Sequence, residues 1–147
     1  MKRQTGQVLV FFALVLPLVL LPVAAYAIDA AVASAAYSRL VEVTELAAED
    51  AANQVDVPTL RAGGAIVLDT AAAETAADTD VASVVAARVT AVAVAGGLVT
   101  VATAEDVSLP FDFVGRGAVT LHASATARVA PGYASPSSRL PLPVSTF

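Results

Sequence analysis

The chain has no cysteine and no tryptophan, a single histidine (His122), and aromatic residues at only 5% of its 147 positions. Without cysteine there can be no disulfide framework, no thiolate metal site and no cysteine nucleophile. Basic residues are also scarce: 8 Lys and Arg against 13 Asp and Glu give a net charge of -5. That balance opposes nucleic-acid binding, which needs a basic face to engage phosphates. Hydrophobic residues make up 57% of the chain, much of it Ala and Val, so a core can form but only from small side chains. The length supports one compact domain beside whatever the N-terminal segment is.

The most informative absence is local. No charged side chain occurs between Arg3 and Asp29. As a helix, Val8 to Ile28 covers about 31 Å, which matches a bilayer hydrocarbon thickness of about 30 Å. Lys2 and Arg3 precede the run and Asp29 is the first charge after it. The positive-inside rule then keeps the N-terminus cytoplasmic and exports the remainder. Two readings compete. Lys2-Arg3, the apolar run and the small-x-small pattern of Ala25 and Ala27 would suit a signal peptide cleaved after Ala27. A retained anchor is favoured by the residues beyond Ala27, where a helical pattern continues with no Gly or Pro until Pro58. Pro17 and Pro22 lie inside the run, and proline is tolerated in membrane helices where neighbours re-satisfy the freed carbonyl.

The anchor and basic leader thus occupy 1–28, and an exported α+β head 29–130. A helix is expected over 29–55, with Ser38, Glu42, Glu45, Glu49, Asn53 and Asp56 on a solvated acidic face. The opposite face carries Tyr37, Leu40, Thr44, Ala47, Ala48, Ala51 and Val55. A second helix is expected over about 58–78, interrupted by Gly63-Gly64 and firm from about Ala65. From Arg88 the period becomes two. A hairpin about Gly96-Gly97 gives strands of about 88–95 and 98–105. Its register pairs Val94 with Val99, Val92 with Val101, Thr90 with Thr103 and Arg88 with Glu105. A loop comes next, with Phe111, Phe113 and Val114 placed to cover one end of the sheet. Strict alternation then marks a half-buried strand over about 118–129. Residues 131–147, rich in Pro and Ser, read as an extended or flexible tail.

No catalytic constellation emerges. His122 falls on the polar face of a strand, where a hydrated surface histidine is the expected reading. Ser124 is two residues away with no acid partner. No carboxylate cluster has metal-loop spacing, and neither glycine pair is followed by Lys-Ser/Thr. Neither enzymatic activity, a cofactor nor a metal is expected.

Several motifs in order remain: Gly6-Gln7, then Phe12-Ala13-Leu14-Val15-Leu16-Pro17, Ile28-Asp29, Arg39, Ala47-Ala48-Glu49-Asp50-Ala51-Ala52, and the strand VTLHASATARV from Val119. This layout resembles the TadE/TadG-like family of pilus-assembly proteins, the pseudopilin-like components of the Flp (tight-adherence) pilus. The resemblance implies a pilin-like architecture, a long N-terminal helix with a small antiparallel sheet. It also implies prepilin-peptidase processing at Gly6, before Gln7. The position that usually carries Glu in processed pilins is Phe11 here, a departure that sets this chain apart from a bulk filament subunit. The implied role is non-enzymatic: a minor pseudopilin or accessory protein of Flp pilus assembly or a related secretion apparatus. It would sit as a single span in the cytoplasmic membrane of a prokaryote. Its partners would be the lipid bilayer and other pseudopilins or pilus-assembly membrane proteins. The rival is a secreted small binding domain released after Ala27.

Overall fold

A computed structural model describes residues 4–64, 66–84, 86–111 and 117–129. The leader residues Lys2 and Arg3, the loop residues Phe113 and Val114, and the tail 131–147 lie outside the described residues. The element order is α1 (Gln4–Ala52), α2 (Val57–Arg61), α3 (Thr70–Val81), β1 (Ala87–Ala95), β2 (Leu98–Ser108) and β3 (Ala118–Arg128). The class is α+β, as the sequence predicts.

Helix α1 runs unbroken for 49 residues with Pro17 and Pro22 inside it, a length of about 74 Å. Its two halves differ. From Val8 to Val23 the large apolar side chains other than the half-buried Val15 are exposed, among them Leu9, Phe12, Leu14, Leu18 and Leu21. From Ala36 onward one face is buried: Ala36, Leu40, Val43, Thr44, Ala47, Ala48, Ala51 and Ala52. Glu42, Glu45, Glu49 and Asn53 stay exposed opposite it. Tyr37, expected on the inner face, is 48% exposed at its margin.

The expected single helix over 58–78 is instead two helices separated by an extended stretch. Asp56 caps α2, accepting hydrogen bonds from the Thr59 N–H at 3.1 Å and the Thr59 hydroxyl. Gly63 then takes a φ of +79°, a left-handed conformation that ends helices and that glycine adopts without a Cβ clash. An isolated antiparallel bridge joins Val55 to Leu68. Asp69 caps α3 through the Ala72 N–H at 3.0 Å. α3 therefore begins at Thr70 and extends to Val81, which is fully buried.

The sheet is antiparallel in the order β1-β2-β3. Gly96 and Gly97 both have positive φ, the requirement of the tight hairpin turn whose twist matches its strands. Near the turn the register is the expected one: Ala95–Leu98, Val94–Val99 and Val92–Val101. Beyond it, an extra residue at Thr90 makes a bulge between Val89 and Ala91, so the expected Thr90–Thr103 and Arg88–Glu105 pairs do not form. Unbroken pairing would have pointed Thr90 and Arg88 into the helix-facing layer. The bulge returns Val89 and Ala87 to that layer and leaves Arg88 exposed, since one extra residue inverts the side-chain phase. β2 is longer than expected, continuing to Ser108, and pairs along its whole length with β3. The core is small-residue packing: Ala47, Ala48, Ala51 and Ala52 of α1 meet Ala73, Ala77 and Val81 of α3 and Val99 and Val101 of β2.

Candidate functional site

Three polar contacts tie α1 to the strand β2 and the connection after it. Their order along the two elements is antiparallel. Farthest from the apolar run, the buried Thr44 hydroxyl donates to the Leu40 carbonyl at 2.6 Å and meets the Thr103 hydroxyl at 2.6 Å. Its single proton is committed to Leu40, so Thr103 is the donor between the two threonines. Next, Arg39 Nη2 lies 2.6 Å from Glu105 Oε1, with side-chain exposures of 57% and 4%. Glu105 Oε2 is buried without a hydrogen-bond partner. Last, Asp29 accepts the Phe111 backbone N–H at 3.1 Å. Asp29 is only 6% exposed, and Ala25 one turn earlier only 7%.

On the outer sheet face Arg88 pairs with Asp106 at 2.8 Å, and Thr120 donates to the same carboxylate at 2.6 Å. The Thr120 hydroxyl and then Arg88 hold the Asp106 carboxyl below its ordinary pKa. The two Thr59 hydrogen bonds do the same for Asp56. Asp80 behaves oppositely. Burial first, then the negative charge of Asp50 across the α1–α3 contact, raise its pKa, and its Oδ2 is buried with no hydrogen-bond partner.

An open cleft of about 590 Å³ runs between α1 and β3, with Glu45, Glu49 and Asn53 on one wall and Ser124, Thr126 and Arg128 on the other. His122 and Ser124 are exposed on β3, and His122 stands opposite Ala104 in the sheet. Among the described residues no group of three or more His, Asp or Glu could hold a metal ion.

The proposed processing positions all fall within α1. Gly6 and Gln7 lie in its first two turns. Ala25 and Ala27 lie in its middle, the first buried and the second exposed. In the sequence Arg39 stands out only through the family resemblance, and Asp29 only as a charge marker and motif residue; neither has a partner that local pattern identifies. A charged residue at an inward-facing position of β2, Glu105, is the signal that a cation from the helix had to meet it.

Compared with family models, curated proteins and solved structures, the chain matches none. Its own geometry is therefore the guide to its role. The leading observation is that α1 contains a window of mean hydropathy 2.9 of which only 6% is buried. A core helix of a soluble domain would be mostly buried. This helix is long and apolar enough to cross a membrane.

Proposed function

We propose that the chain is a non-enzymatic, membrane-anchored minor pseudopilin or accessory protein of Flp-type pilus assembly or a related secretion apparatus. The observation that carries this reading is the division of α1. One uninterrupted helix is bare and apolar in its first half and is the spine of a small antiparallel sheet in its second. A bare apolar half needs lipid or other apolar helices around it, because about 25 cal/mol is lost for each Å² of apolar surface left in water. A head joined to it by continuous helix takes its direction from the anchor, as a component positioned by packing in the bilayer requires. The freed Ala13 and Leu18 carbonyls, four residues before the prolines, favour contact with another helix in lipid. The N-terminus would be cytoplasmic and the head exported.

Mass spectrometry of the native chain's N-terminus after membrane fractionation tests the anchor. A membrane-bound species beginning at Met1 or Gln7 is expected; a soluble exported fragment beginning at Ile28 would replace this reading with the secreted-domain one. Site-specific photo-crosslinkers at exposed anchor positions such as Leu14 and Leu18 test the assembly role. They should capture another single-span pilus-assembly component, and crosslinks to lipid alone would refute that role.

A further inference from the structure

The head reaches below the first charged residue of α1. Asp29 and Ala25 are buried on one face of the helix, whereas Tyr26, Ala27 and Ile28 beside them are exposed. The Phe111 N–H is bound to Asp29, and the Leu109 N–H donates to the Gly117 carbonyl at 3.3 Å across the base of the β2–β3 connection. The dimensions agree. From the Thr44–Thr103 contact, α1 descends about 22 Å to Asp29; β2 covers about 17 Å to its end at Ser108, and the three residues after it bring the Phe111 N–H to Asp29. Both elements arrive at the same level. There the Phe111 side chain remains exposed.

We propose that the residues just after β2 make a second membrane contact, in which Phe111, held to α1 by the Asp29 carboxylate, seats its ring at the headgroup–acyl boundary of the bilayer. The inference rests on the anchor reading. If Val8 to Ile28 occupies the hydrocarbon, Ala25 lies about 4.5 Å inside its outer boundary. Whatever covers Ala25 and Asp29 is then at interfacial depth. Aromatic rings are favoured at that depth, and Tyr26 is exposed at the same level of the helix. Covering by protein and an N–H donor suit Asp29 to a position where a bare carboxylate would be costly. The head would then touch lipid at two points, the anchor and Phe111, and its tilt on the membrane would be set.

The chain's lack of tryptophan makes a direct test possible. Phe111→Trp, Leu18→Trp and Leu98→Trp each introduce a single fluorophore into the full chain, at the proposed contact, mid-span, and at the far end of the sheet. All three native side chains are exposed, so the fold should tolerate the changes. In phosphatidylcholine–phosphatidylglycerol vesicles, Phe111→Trp should be blue-shifted and quenched by lipids brominated near the headgroup. Leu18→Trp should be quenched by lipids brominated deep in the acyl chain, and Leu98→Trp by neither. Quenching of Leu18→Trp without quenching of Phe111→Trp would overturn the second contact and leave the anchor standing. A blue-shifted but unquenched Phe111→Trp would mean that protein covers the ring, and would also overturn it. An unquenched Leu18→Trp would remove the anchor and this inference together.

Discussion

Removing Arg39 should cost the head far more than removing its partner Glu105. The two groups meet at 2.6 Å, but their surroundings are unequal: Glu105 is 4% exposed at its side chain and Arg39 57%. Arg39→Met keeps the aliphatic stem and deletes the charge, which leaves Glu105 buried with both oxygens unpaired, because Oε2 already lacks a partner. Breaking a fully buried pair in this way costs about 3–5 kcal/mol, and an exposed pair is worth only about 0–1 kcal/mol. Water can enter where the half-exposed guanidinium stood, so the expected cost falls between these limits, about 2–3 kcal/mol. Glu105→Met leaves a free arginine at the surface, which hydrates readily, so this change should cost less than about 1 kcal/mol. In the double variant the buried carboxylate is gone, and most of the loss caused by Arg39→Met should be recovered. The assay is hydrogen exchange of the β2 and β3 amides in the full chain in micelles, which reads opening of the head apart from the anchor's helical signal. Equal costs for the two single variants, or no recovery in the double variant, would refute the reasoning.

Thr44→Val should destabilise by about 1–3 kcal/mol, since the buried Thr103 hydroxyl loses its acceptor; Thr103→Val should cost less, because Thr44 still donates to Leu40. The same exchange measurement ranks them, and the reverse order would show the proton assignment to be wrong. Asp80 has a folded pKa above its ordinary 3.8, so its contribution is fully present below that pH and is lost as pH rises through the folded value. Asp80→Asn should therefore raise the thermal midpoint at neutral pH and change it little below pH 3.8; equal effects at both would count against the Asp50–Asp80 contact. Ala86 has a φ of 69° without being glycine, a conformation that costs an ordinary residue about 1–2 kcal/mol. Ala86→Gly should stabilise by up to about 1 kcal/mol in the same melts, and a loss of stability would mean the strain is absent.

Much of the architecture is legible in the sequence because it rests on local periodicity. The uncharged run after Arg3, the unbroken helical pattern past Ile28, the Gly96-Gly97 turn and the alternation from Val119 each carry their own signal, independent of distant residues. Expectation and structure part where a local rule meets a tertiary constraint. The expected helix over 58–78 starts late because the Val55–Leu68 bridge pulls the stretch before Asp69 into an extended form, a pairing that no local propensity specifies. Cross-strand complementarity favours Arg88 opposite Glu105. That pairing would have placed an arginine in the helix-facing layer of the sheet, and a bulge at Thr90 removes it.

The sequence by itself determined a helical span, an acidic helix face, a hairpin turn and a small-residue core, because each arises from hydropathy, charge or glycine geometry within a few residues. Only the tertiary structure decided which polar groups meet. Arg39 with Glu105, Thr44 with Thr103 and Asp29 with the Phe111 amide are separated by 59 to 82 positions. Their pairing depends on β2 lying antiparallel along α1 at one particular offset. No local pattern specifies that offset; it is set by packing the alanines of α1 against the valines of β2 and by the need to give a buried carboxylate a cation.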